Sequence, residues 1–123
     1  MELLSGTEGF PIAYGIGVKH NKHFLATELL GPNIQKCYEY CKHSFSYSTI
    51  CLFSVQAITL IEKLHTRGFI HRDIKPDNFT IGSDNTNRIY LIDFGLCKEY
   101  RNDKGQHILY SENKLLAGTA RFA

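Results

Sequence analysis

The chain has 123 residues, 43% of them apolar, and a net charge of +2. That is room for one domain at most, with too little charge to argue for binding nucleic acid or a membrane surface. No apolar run approaches the ~20 residues a membrane span needs, and nothing at Met1 resembles a targeting segment.

Four cysteines, Cys37, Cys41, Cys51 and Cys97, form no C-x-x-C pair. They are expected to be reduced, mostly buried thiols of a cytosolic protein rather than a disulfide framework.

The first elements in chain order are two runs rich in β-branched and aromatic residues, Ile12 to Val18 and Lys22 to Leu29. With "KHN" as a turn between them they predict an antiparallel hairpin. "LGPN" ends the second strand, since Pro32 cannot donate to a ladder and Gly31 frees the backbone. Ile34, Cys37, Tyr38 and Cys41 recur at helical spacing, which predicts a short amphipathic helix over 34–42 whose stripe packs inward. Ser46 is a good N-cap for a longer helix, with Ile50, Phe53, Ala57, Ile61 and Leu64 on one face and Gly68 as its stop. Then come "GFI", a polar loop, a strand in "NFTIG", a turn "SDNTN" and a strand in "RIYLIDF". The last forty residues or so carry little periodicity until "GTARFA".

The polar loop, "HRDIKPDNF" from His71 to Phe79, lies between apolar runs. If "NFTIG" pairs with "RIYLID", Asp73, Lys75, Asn78 and Asp93 gather at one mouth. Two carboxylates, an amide oxygen and an ammonium suit Mg²⁺ together with phosphate oxygens. One of the carboxylates is then left to take a proton from an attacking hydroxyl. That division of labour is what phosphoryl transfer requires.

"HRDIKPDN" followed by "DFG" resembles the catalytic loop and metal-binding signature of eukaryotic protein kinases. With "ELLGPN", "DFGLCKEYR", "QHILY" and "ENKLLAGTARFA", the chain resembles the casein kinase 1 family. The resemblance implies an α+β, protein-kinase-like fold, seen as a fragment. Residues 1–27 would be a small-lobe remnant, 28–33 the hinge, and 34–123 the large lobe to the end of the activation segment. It also implies a serine/threonine protein kinase that moves the γ-phosphate of ATP, with Mg²⁺, onto acidic or already phosphorylated proteins.

By the same resemblance, Asp73 orients the substrate hydroxyl, Lys75 steadies the phosphate, and Asn78 and Asp93 hold Mg²⁺. Glu28 and Leu30 meet the adenine edge with Thr27 as gatekeeper, and Thr80 and Ile92 complete the nucleotide contacts. Thr119 and Arg121 face the substrate, Arg121 as part of an anion site where a guanidinium suits phosphate. The partners implied are protein substrates, with no nucleic acid and no membrane. The protein would be a monomer in the cytoplasm, with the nucleus as a second location.

Blander readings are preferred at several positions. His71 is expected to pack beneath Phe94 rather than to catalyse, and His20 and His23 to flank a solvated turn rather than hold a metal. Cys97 is expected to be inert. "GIG" at Gly15 and Gly17 lies on a strand and is not the phosphate loop.

Where the chain departs from the family, Thr80 replaces an apolar residue expected beneath the adenine, and Ser111 replaces an arginine. No glycine-rich loop, V-A-I-K-like lysine or helix glutamate occurs in the first ten residues; in the family these lie upstream of the region matching Met1. The polypeptide of these residues alone is therefore expected to be inactive and to leave an apolar sheet edge unpaired. The alternative is a non-catalytic kinase-like fragment with a binding or regulatory role.

Overall fold

The computed structural model describes residues 4–102, 104–112 and 115–122; Asn113 and Lys114 of the "SENK" stretch lie outside them. The two N-terminal apolar runs form β1 (Ala13–Lys19) and β2 (Lys22–Thr27), paired antiparallel from Lys19↔Lys22 to Ala13↔Thr27. Their turn is His20-Asn21, with φ of 49° and 59°, the two left-handed residues that a two-residue type I′ connection needs. The second strand stops before the predicted Leu29 because Glu28 changes partner. Its N–H donates to Ile12 O and its carboxylate accepts from Ile12 N–H at 2.7 Å, which closes the hairpin at its base. Among the described residues the pair has no third strand. Ile16 is 80% exposed, and Tyr14, Val18 and Phe24 also stand at the surface.

Asn33 caps α1 (Ile34–Tyr40) by accepting from Lys36 N–H at 2.8 Å. The helix ends short of the predicted Lys42 because Lys42 and His43 turn left-handed, at φ 54° and 59°. Its predicted stripe packs only in part. Ile34 and Cys37 are half-buried, whereas Cys41 is exposed and Tyr38 lies edge-on to the rings of His43 and Phe45. The cysteines depart from expectation in the same way: all four are free, Cys41 and Cys51 are exposed, and Cys37 and Cys97 are half-buried.

Ser46 caps α2 (Tyr47–Thr66) through Thr49 N–H at 3.1 Å, and Gly68 at φ 83° follows its end. The buried face is Ala57, Leu60 and Leu64, with Phe53 and Ile61 partly covered. Leu60 thus takes the place read for Ile61, and Ile50 is exposed rather than inward. The reason is distant in sequence. Leu4 and Phe10 pack on this face, and Gly9 lies so close that a Cβ there would come within 2.1 Å of the Leu60 side chain.

Four short strands follow, β3 (Phe69–Ile70), β4 (Phe79–Ile81), β5 (Ile89–Leu91) and β6 (Lys98–Glu99), with a 3₁₀ turn at Pro76–Asn78. β4 and β5 pair antiparallel with Phe79 opposite Leu91, the hairpin that the sequence predicts, though β5 is shorter than the apolar run. β3 pairs with β6, a contact with no sequence signal because two-residue strands carry no period. Phe79, Ile89 and Leu91 complete the core, and Phe79 meets Phe53 edge-on at 5.4 Å. No described helix is long and apolar enough to cross a membrane. The mixed small sheets and helices are those of an α+β fold.

Candidate active site

The loop between β3 and the 3₁₀ turn is closed by its own side chains. Asn78, buried at the end of the turn, donates from Nδ2 to Asp73 O at 2.8 Å and to Asp73 Oδ2 at 3.0 Å. Lys75 Nζ sits 2.8 Å from the same Oδ2. The other oxygen, Oδ1, accepts from the N–H and the hydroxyl of Thr119, at 2.9 and 2.7 Å. Lys75 also donates to Thr119 Oγ1 at 2.8 Å, so that hydroxyl bridges the cation and the carboxylate.

Four donors on one carboxylate favour its charged form. Lys75 first, then Thr119, hold Asp73 well below the usual carboxylate range against the effect of burial. Asp73 in turn raises the Lys75 ammonium. Such an anion is a weak base at rest and a good acceptor for an incoming hydroxyl.

His71 holds the loop from beneath. It is 2% exposed; Nε2 bonds Ile92 O at 3.0 Å, and Nδ1 accepts from Asp73 N–H at 3.3 Å. One nitrogen donating and the other accepting is the pattern of a neutral ring, and burial pushes its pKa down, which agrees. Phe94 meets it edge-on at 5.4 Å, the packing expected from the sequence. Arg72 and Asp93 both adopt left-handed backbone, φ 67° and 62°. The Arg72 side chain is tied by Nε to Leu96 O.

The β4–β5 register brings Asn78 opposite Ile92, whose N–H donates to Asn78 O at 2.9 Å, and Asp93 follows by one residue. Asp73, Lys75, Asn78 and Thr119 therefore form one network, while Asp93 stands beside it, exposed, its Oδ1 accepting from Gly95 N–H. With Asn78 Nδ2 committed to Asp73, its Oδ1 is left as an acceptor. An amide oxygen and a carboxylate are hard donors that fit Mg²⁺ when phosphate and water complete the shell. Among the described residues, no group of three or more His, Cys, Asp or Glu could hold a metal ion by itself.

Thr27, Glu28, Leu30, Thr80, Ile92 and Asp93 all line one cavity of about 660 Å³. Gly31 N–H bonds Ile81 O and Ile81 N–H bonds Pro32 O, tying the segment after Glu28 to β4. Among the described residues, the Leu30 N–H and C=O pair with no other backbone group, which leaves them available at the cavity rim.

Arg121 is placed elsewhere. It borders a second cavity of about 510 Å³ with Pro76 and Tyr38, its guanidinium 5.5 Å from the Phe122 ring. Burial raises the Cys97 thiol, in keeping with an inert side chain.

The Thr119–Asp73 contact spans 46 residues and was not legible from spacing; the only local sign is the Gly-Thr pair. Gly118 explains why glycine stands there. At φ 106°, a Cβ would lie 2.5 Å from Arg72 O. Gly118→Ala is expected to cost roughly 1–3 kcal/mol through backbone strain and this clash, read as a lower urea midpoint. An unchanged midpoint would mean that the segment has room to move away.

Residues 13–122 match the protein kinase domain family. Over 98% of its length, the chain is 47% identical to casein kinase I homolog RAG8 of Kluyveromyces lactis. It is 46% identical to casein kinase I homologs 1 and 2 of Saccharomyces cerevisiae. The chain spans 23% of the length of each of these relatives.

Proposed function

The chain belongs to the protein kinase family, in its casein kinase 1 branch, and from that premise we propose that it supplies the catalytic loop and nucleotide floor of a serine/threonine protein kinase. The proposed reaction moves the γ-phosphate of ATP onto Ser or Thr of acidic or pre-phosphorylated proteins. The observation that carries this reading is the Thr119 hydroxyl, held 2.7 Å from Asp73 Oδ1 and 2.8 Å from Lys75 Nζ. An aliphatic hydroxyl there has an anion to receive its proton and a cation to meet the phosphate approaching its oxygen, the arrangement an acceptor Ser or Thr needs.

In this proposal a substrate hydroxyl donates to the Asp73 carboxylate while its oxygen attacks the γ-phosphorus. The new O–P bond forms, the bond from the γ-phosphorus to the bridging oxygen of ADP breaks, and the proton goes to Asp73. Lys75 offsets charge on the phosphoryl oxygens. Asn78 and Asp93 are the residues that would hold Mg²⁺, which when bound supplies further charge neutralisation. The apolar walls of the cavity, with the main chain of Leu30 at its rim, suit an adenine ring. Arg121 is the proposed contact for an acidic or phosphorylated flank. A covering glycine-rich loop and a strand lysine, which such a reaction also needs, would come from residues beyond these 123.

The test is phosphate incorporation by the full-length polypeptide with Mg²⁺ and ATP. An acidic peptide, a peptide with phosphoserine before the acceptor, and a basic control would be compared. Transfer to Ser or Thr of the first two above the control is expected. Nucleotide binding with no transfer to any peptide would favour a non-catalytic, regulatory role instead.

A further inference from the structure

One side of α2 carries a groove that the proposed reaction leaves unused. Its walls are α2 and the turn between β4 and β5, and it encloses about 260 Å³. Gly9, lying against Leu60 and Ile89 O, closes its floor. Gln56 fixes its width: Nε2 donates to Asn87 O at 2.9 Å and Oε1 accepts from Ile89 N–H at 3.1 Å, so helix and turn are held at one spacing. None of Asp73, Lys75, Asn78 and Asp93 lines it.

The two ends of the groove differ in chemistry. Val55 stands at one end, 66% exposed, with Leu52 also exposed one turn before it. Thr59 gives its hydroxyl to Val55 O at 2.9 Å, so it adds little polarity to that end. Lys63 and Arg88 stand at the other end, and Glu8 is seated between them, 3.8 Å from Lys63 Nζ and 3.2 Å from the Arg88 guanidinium. Arg67, bonded to Thr7, adds a third cation beside Glu8. Asp84, the carboxylate of the turn, is engaged with Ser83. Three cations therefore face one carboxylate, and that carboxylate is exposed and held by surface pairs that contribute little. A carboxylate from another chain would displace it at small cost. The groove is smaller than the ~300 Å³ at which small-molecule pockets begin, which suits side chains of a polypeptide laid along it.

We propose that this groove is a docking site for an acidic segment of a partner protein. The segment seats a large apolar side chain against Val55 and Leu52 and a carboxylate between Lys63 and Arg88, where Glu8 sits in the free protein. From Val55 to Lys63 the helix rises about 12 Å, which an extended segment covers in about four residues. The proposal goes beyond the catalytic reading and stands without it.

The experiment selects from a random-peptide display library on the full-length polypeptide and measures Kd of the enriched peptides by fluorescence polarisation. They are expected to carry Asp or Glu about three to four positions from Leu, Ile, Phe or Met. Arg88→Glu and Val55→Lys should each weaken binding about 10-fold or more. Glu8→Ala should tighten it about 2- to 5-fold by freeing the two cations, the opposite sign to loss of a merely structural contact. Arg121→Glu should leave it unchanged, which separates this groove from the proposed substrate site. Val55 is an exposed side chain, so its variant stays readable even where Arg88→Glu lowers the Tm. Enriched peptides without a carboxylate, binding that survives both Arg88→Glu and Val55→Lys, or weaker binding in Glu8→Ala would overturn the proposal. A selection that enriches nothing overturns it as well.

Discussion

Asp73→Asn is expected to lower kcat for peptide phosphorylation roughly 10²- to 10⁴-fold, the range general base catalysis contributes, with KM for ATP little changed. The substitution keeps the shape of the side chain and removes its charge. Both oxygens of the carboxylate are committed in the structure, one to Asn78 and Lys75 and the other to Thr119. An amide can accept at only one of its two ends, and its NH₂ would face a donor whichever way it is turned. Lys75 would lose its counter-ion and the hydroxyl bridge would lose its acceptor. The loss should therefore fall on the chemical step and not on nucleotide binding, since Asp73 does not line the 660 Å³ cavity. Retention of more than a tenth of the rate would refute the role given to this carboxylate.

Leu64→Ala is expected to destabilise the fold by roughly 2–5 kcal/mol, the cost of a lost side chain plus the cavity left behind. Leu64 is completely buried, on the face of α2 that carries Ala57 and Leu60. Against a total stability of about 5–15 kcal/mol for a typical domain, that is enough to lower the urea midpoint sharply. Ile58→Ala provides the contrast on the same helix. Ile58 is 66% exposed, so its truncation should stay within roughly 0.5 kcal/mol. Equal effects of the two changes would mean that the buried face of the helix has been assigned wrongly.

How much of this was legible in the sequence depended on how local the cause was. Ser46 read as a helix start because capping is settled within three residues, while the cap that Asn33 gives the first helix emerged only in the structure. The β4–β5 hairpin was legible from two apolar runs and a polar turn, and with it the approach of Asn78 to the strand that leads to Asp93. The choice between Leu60 and Ile61 was not legible, since both fit the period of the helix and Gly9 and Phe10 decide between them from fifty residues away. The β3–β6 pairing had no signal to read.

The site divides in the same way. Asp73, Lys75 and Asn78 lie within six residues and declare their chemistry together, whereas the contact of Thr119 with Asp73 exists only once the chain returns. The buried hydroxyl of Thr80 could be seen in the sequence only as an unusual residue type. That it lacks a hydrogen-bond partner among the described residues is a property of the fold.

The two left-handed residues, Arg72 and Asp93, have a joint consequence. Each sits where an L-residue is disfavoured by about 1–2 kcal/mol, so each is a point at which the backbone would relax if released. The His71–Ile92 hydrogen bond joins the residue before one to the residue before the other. The two turns are thus fastened like opposite ends of one clasp, and the catalytic loop and the Asp93 turn hold or loosen as a unit. A change at His71, which itself takes no part in the proposed proton transfer, would be felt as misplacement of both acidic groups at once.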